Sequence, residues 1–163
     1  QDETINIPEW IIKYNRDKFL PLIQKFNNNK KIFLDRSSSA YTHCQIENND
    51  EIIDMLTKKG FTSYRVEELS IEEQIYLFNE ASIIVGAHGA AFTNIIFCKP
   101  ETKIIEIIPE SHPSKKCQRI SKILKLRYKR ITTTETNKDK NFPFNILLNK
   151  KNLNEIENII DLN

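Results

Sequence analysis

The sequence predicts an α/β fold, a Rossmann-like three-layer αβα domain built on a mainly parallel sheet. Three observations carry that prediction. Short apolar runs at Lys31–Asp35, Thr62–Val66, Ile83–Val85, Lys103–Ile108 and Arg127–Thr132 alternate with stretches of helical periodicity. Helix-start and helix-stop signals fall between them. The third run passes directly into a glycine-bracketed turn, Gly86-Ala87-His88-Gly89, with a helix start behind it. Strands and helices alternating at this pitch give a parallel sheet with helices on both faces.

In chain order, Gln1–Ile7 is polar and reads as a frayed lead. Pro8 to Phe26 carries Trp10, Ile11, Tyr14, Phe19, Leu22, Ile23 and Phe26 at helical spacing, with Pro21 kinking or dividing the segment. After the first strand, Arg36–Tyr41 is a polar loop. Asn49 is placed to cap a helix to Lys59, closed by Gly60. Ser70 and Glu73 form a capping box for a helix to about Glu80, with Ile71, Ile75 and Phe78 on its sheet-facing side. A helix from Ala91 to Phe97 follows the third strand. Pro109 stops the fourth, and Ser114 is placed to cap a helix to Leu124. Phe144–Leu148 reads as an edge strand, and Asn152–Glu155 as the start of a last amphipathic helix. The expected organisation is a helical lead-in over 1–30, the core over 31–132, and a loop with a C-terminal helix over 133–163.

The 163 residues are enough for one domain with a sizeable core. A net charge of +2 is too balanced to make nucleic acid or an anionic membrane the main partner. No apolar run approaches the ~20 residues that span a bilayer. Three cysteines without ligand spacing, and no N-x-[ST] acceptor, make a reducing, cytoplasmic setting the expectation. The start at Gln1 rather than methionine makes a piece of a longer protein the expectation too.

In parallel sheets ligands sit beyond the carboxyl ends of the strands. Arg36, His88 and the Glu106–Pro109 turn all fall there. The Gly89–Asn94 helix start would point N–H groups and a positive helix end at an anion. His88 would join it on a phosphate oxygen or leaving group, unless it is a buried imidazole satisfied by backbone. Arg36 is either a phosphate ligand or an ion pair with Asp35. Glu106, an acid within an apolar strand, either points inward to a polar partner such as a ribose diol or faces solvent at an edge. The Glu67-Glu68 and Glu72-Glu73 pairs read as solvated charges. There is no G-x-G-x-x-G, P-loop, G-x-S-x-G or D-x-D, and His43, His88, His112 and Cys44 have no metal spacing. No metal is therefore expected.

The stretch from Lys31 to about Ile131 resembles glycosyltransferase family 61, through KIFLDRSSSA, NNDEIIDMLTKKGF, LSIEEQIYLFNEASIIVGAHGAAFTNIIF and KIIEIIP. The resemblance implies the donor-binding, C-terminal half of an inverting GT-B-type transferase using a nucleotide sugar, a UDP-sugar by preference. It places Arg36, Ser37, His88, Gly89, Ala90, Thr93, Asn94 and Glu106 at the donor. Arg36, His88 and the helix start are then expected on the diphosphate, His88 as a leaving-group stabiliser, and Glu106 on the ribose. Val66, Glu67, Glu68 and Leu69 would meet the base through their backbone. The acceptor would be a glycan or protein hydroxyl, held by an acceptor-binding domain upstream or on another chain, and no catalytic base is assigned. No cofactor beyond the donor is implied.

Two departures stand out. Ala91-Phe92 replaces the glycine of the HGAGLTN common in the family. Tyr41-Thr42-His43-Cys44 stands where basic residues are common, with His43 a partial substitute. A non-catalytic nucleotide- or sugar-phosphate-binding module serving a partner is the alternative reading.

Overall fold

Five strands, β1 (Lys30–Leu34), β2 (Thr62–Tyr64), β3 (Ala81–Ala87), β4 (Lys103–Pro109) and β5 (Arg127–Thr133), form one sheet in the order β2-β1-β3-β4-β5. Every neighbouring pair is parallel, so all carboxyl ends share one edge. The computed structural model describes residues 7–23, 29–37, 44–134, 136 and 145–162. The predicted α/β three-layer architecture is what these residues build.

β4 is buried along its whole length, as its near-continuous apolar run requires of a strand covered on both faces. Its alternate residues feed two cores. Ile104 points with Ile32, Leu34 and Ile84 into the layer of α1 (Glu9–Phe19), α3 (Ile71–Glu80) and α4 (Lys116–Leu124). Ile105 and Ile107 point with Phe33 and Val85 toward α2 (Asn49–Lys58) and α5 (Lys150–Asp161). Period-two alternation thus sets Glu106 on the same face as Ile104.

Helix ends follow local chemistry. The Ser70/Glu73 capping box forms in both directions, at 3.3 and 2.8 Å. After α2, Gly60 takes φ +81°. Its N–H bonds Thr57 O and that of Phe61 bonds Leu56 O, the closure that needs a left-handed residue. Lys103 at the start of β4 donates to the carbonyls of Ile159, Ile160 and Leu162, a cation at the C-terminus of α5.

Several expectations are corrected. Ala90–Phe97 is a 3₁₀ helix rather than an α-helix. At ~2.0 Å rise per residue against ~1.5 Å, its tighter winding spans more of the return from the end of β3 to the start of β4. β2 stops at Tyr64, and Val66–Glu68 is a 3₁₀ turn. β4 continues through Pro109, which still pairs with Thr133. Asn48, not Asn49, precedes α2, and its amide bonds Glu51 and the Leu148 carbonyl.

Asn149 caps α5, with Asn152 at the third helical position completing the box. α4 starts at Lys116 after Lys115, although Ser114 Oγ does accept from Lys116 N at 3.4 Å. The predicted edge strand reduces to a bridge between Ile146 and Ile46. Its Phe144 lies outside the described residues, as do His43 and most of the Arg36–Tyr41 loop. Ile71, Trp10 and Tyr14 are exposed rather than packed. α1 is held instead by buried Ile12 and by Arg16, which donates to the Ile96 and Cys98 carbonyls at the C-terminal end of the 3₁₀ helix.

Candidate functional site

β1 and β3 are neighbours although β2 lies between them in sequence, so the chain reverses its direction of travel across the sheet between them. A crevice at such a switch point, beyond the carboxyl ends, is where open α/β sheets bind ligands. Arg36 leaves β1 here and His88-Gly89 leave β3. Their side chain and backbone meet: a Cβ added to Gly89 would lie 1.8 Å from Arg36 Nη1 and 2.6 Å from Cζ. The Gly89 backbone is extended, with φ 174°, so room for the guanidinium is what the position requires. Burial lowers the Arg36 pKa, with Cys44 and Glu67 acting the other way.

Asp35, the other candidate partner of Arg36, is engaged elsewhere. Its carboxylate accepts from Ser37 N and Oγ at 2.9 and 3.0 Å, from Asn49 at 3.0 Å, and pairs with Arg65 at 3.4 Å. Burial pushes the Asp35 carboxyl up, and these bonds outweigh it to hold the group below its ordinary range. Ser37 is therefore fixed in a turn by its own neighbour, and Arg65 reaches its hydroxyl at 3.4 Å.

His88 is buried at the head of the 3₁₀ helix, and its N–H continues the ladder to the Ile107 carbonyl. Its Nδ1 lies 2.5 Å from Glu106 Oε1, while Tyr128 Oη donates to Glu106 Oε2 at 2.6 Å. Cys117 on α4 adds a third donor. Burial works against the Glu106 charge, but the bonds from His88, Cys117 and Tyr128 prevail and hold its pKa below the ordinary value. Burial, reinforced by the Glu106 charge, drives Cys117 and Tyr128 the other way, so both keep their protons. The sequence assigns Glu106 to a ribose; in the structure both its oxygens bond protein groups, which directs it at His88.

An ionised carboxylate at Nδ1 fixes the proton of a neutral imidazole there, so Nε2 is the nitrogen that can address a ligand. His88, Glu106 and Cys117 also have ligand atoms within 4.8 Å of one another, the geometry of a metal triad. A thiol that burial keeps protonated, and a carboxylate already bonded on both oxygens, suit a proton-bearing network better than a cation site.

The predicted base loop is tied to this site by a single side chain on α3. Gln74 on α3 donates to the carbonyls of Val66 and Leu69, each at 3.0 Å, and accepts from Asn94 at 2.9 Å. Val66 is buried, whereas Glu67 and Glu68 are exposed at the end of β2. Ala90 and Thr93 lie on the exposed edge of the 3₁₀ helix. The structure thus brings Arg36 to Gly89 and His88 to Glu106, and joins Asn94 to the Val66–Leu69 turn through Gln74.

Tyr128, Cys117 and His112 were missed. They reach the site from β5, α4 and the β4–α4 segment, and only the sheet order and the strand faces bring them there. A polar residue in an otherwise apolar strand was the available signal, and it pointed to Glu106 alone.

The glycosyltransferase 61 profile matches residues 6–105, more than half of the chain. The chain belongs to glycosyltransferase family 61. Among curated proteins, it is similar to the β-1,2-xylosyltransferase RCN11 of Oryza sativa subsp. japonica, 42% identical over 40 residues. That match covers 24% of this chain and 8% of the rice protein. It is also similar to a β-1,2-xylosyltransferase of Arabidopsis thaliana, 40% identical over 55 residues, 32% of this chain and 10% of that protein. The matched stretches therefore span a tenth or less of those relatives. The family profile covers Arg36, Gln74, His88 and Gly89 but ends one residue before Glu106. No helix among the described residues is long and apolar enough to cross a membrane.

Proposed function

We propose that this chain is the donor-binding part of a GT-B-type glycosyltransferase that moves a sugar from a nucleotide sugar, a UDP-sugar by preference, to a glycan or protein hydroxyl with inversion. The observation that carries the reading is the Arg36 guanidinium lying against Gly89, beside His88, at the β1/β3 switch point. A planar fork suits two oxygens of a diphosphate. The first N–H groups of the 3₁₀ helix and His88 Nε2 provide donors on the β3 side.

Breaking the bond between sugar and diphosphate builds charge on the leaving oxygen. Fixed cations and dipoles already aimed there stabilise that charge without reorganising. Glu106, held by Tyr128 and Cys117, keeps the His88 ring in one orientation and supports it when both nitrogens carry protons. The Val66–Leu69 turn would receive the base. Its carbonyls at 66 and 69 are taken up by Gln74, which leaves Glu67 and Glu68 as the backbone to meet it.

The acceptor would be held by a domain upstream or on another chain. The alternative of a binding module without catalysis draws on one observation: the two buried carboxylates described at the strand ends are both paired, Glu106 with His88 and Asp35 with Arg65. Neither is set to take a proton from an acceptor.

His88→Asn tests the reading. An Asn amide can keep a donor near the Nδ1 position for Glu106 while removing Nε2. By calorimetry, UDP affinity should fall about 5- to 150-fold, the loss of roughly 1–3 kcal/mol for one bond to a charged group, with the melting temperature little changed. Unchanged affinity would remove His88 from the donor.

A further inference from the structure

A nucleoside diphosphate brings several negative charges, and the sequence from Arg36 to Cys44 after β1 offers one permanent cation, Arg36, to meet them. We propose that Lys116, on the first turn of α4, is the second cation of the diphosphate site, facing Arg36 across the β3 turn. The proposal rests on the donor-site reading and deepens it.

The first support is topological. β3 lies between β1 and β4, so Arg36 reaches the His88-Gly89 turn from one side and the segment after β4 reaches it from the other. That segment is fixed in place. Arg130 donates to the carbonyls of His112 and Ser114 at 2.8 and 3.1 Å, and Ser114 Oγ accepts from Lys116 N at 3.4 Å. It also touches the site: the His112 ring lies 4.3 Å from that of His88, centroid to centroid.

The second support is the contact Lys116 makes. Its ammonium donates to Thr93 Oγ1 at 3.0 Å. In a 3₁₀ helix residues three apart eclipse each other, so Thr93 stands directly behind Ala90, on the exposed edge that opens at Gly89. Lys116 is therefore tethered one turn behind the helix start proposed for phosphate.

The third support is charge. Among the described residues the Lys116 ammonium meets a hydroxyl and no carboxylate. Arg65, the other cation near the β1 and β2 ends, is already balanced by Asp35 at 3.4 Å and Glu68 at 3.5 Å. A compact ammonium on a four-carbon stem can leave a neutral hydroxyl for a phosphate oxygen at small cost. A charge already held by two carboxylates cannot be redirected so readily.

The test is a calorimetric titration of the wild type, Lys116→Ala and Lys116→Arg with UDP, pyrophosphate and uridine at low and high salt. Lys116→Ala should weaken UDP and pyrophosphate about tenfold, leave uridine unchanged, and flatten the salt dependence of UDP binding, while Lys116→Arg restores most of the affinity. A wild type that binds UDP with Lys116→Ala binding it equally well would overturn the role of Lys116 alone. So would equal losses for UDP and uridine. A wild type that binds neither UDP nor pyrophosphate would overturn the donor-site reading, and this assignment with it.

Discussion

Gly89 is required for want of room rather than for backbone freedom, since its φ of 174° is open to any residue. Gly89→Ala should therefore fold normally. Its methyl group would meet Arg36 Nη1 at 1.8 Å, and the flexible side chain would swing away. We expect a melting temperature near that of the wild type and UDP affinity lower by about tenfold, the scale of one bidentate charged contact. Binding that survives the substitution would mean that Arg36 does not need the Gly89 shelf to reach phosphate.

Two buried carboxylates contribute to the acid limit of stability. The folded-state pKa values of Asp35 and Glu106 lie below their ordinary 3.8 and 4.5. Each therefore contributes stability fully above its unfolded value and loses it as pH falls through its folded one. Chemical denaturation should show stability level above about pH 4.5 and declining in acid below it. Asp35→Asn should flatten part of that decline, and an unchanged acid limb would show that the Ser37, Asn49 and Arg65 bonds do not favour the charged form.

At the level of elements, Gln74 joins three pieces of chain: α3, the turn after β2 and the 3₁₀ helix. Gln74→Ala removes two bonds to carbonyls and one from Asn94, and should cost about 1–3 kcal/mol. For a chain of this size that is about 2–4 °C in melting temperature per kcal/mol. Hydrogen exchange should quicken over residues 66–69, and uniform exchange would mean the turn stands without Gln74. The strands were legible in the sequence because apolar runs between turn residues have few other readings, and the Ser70 box because its spacing is local.

Boundaries and partners were less so. Asn149 outcompetes Asn152 as a cap because the two form a reciprocal pair, a choice between similar residues three apart. The 3₁₀ winding of Ala90–Phe97 answers to the distance it must cover. In the site, Arg36 and His88 were readable from their places at strand ends, and family resemblance grouped them. Which carboxylate each would meet was not readable, because Asp35 turns to Arg65 and Glu106 to His88 only once the sheet order is set.

For the molecule as a whole, residues 1–163 should bind UDP yet transfer no sugar to any acceptor. Transfer needs a hydroxyl held at attacking distance with a base in reach, and no base is assigned among the described strand-end residues. Incubation with radiolabelled UDP-sugars and a panel of hydroxyl acceptors should yield at most slow donor hydrolysis. Efficient transfer would show a complete active centre within this chain. The anchoring of α1 has a consequence of another kind, for synthesis on the ribosome. Arg16 fastens that helix to carbonyls 80 and 82 residues downstream. At about 5–20 residues per second, those partners emerge roughly 4–16 s after Arg16 itself. During that interval β1, β2 and β3 are all made, while α1 waits undocked with Ile12 uncovered, open to a chaperone or a protease. A helix that precedes the sheet in the chain is thus fastened only once three strands have followed it.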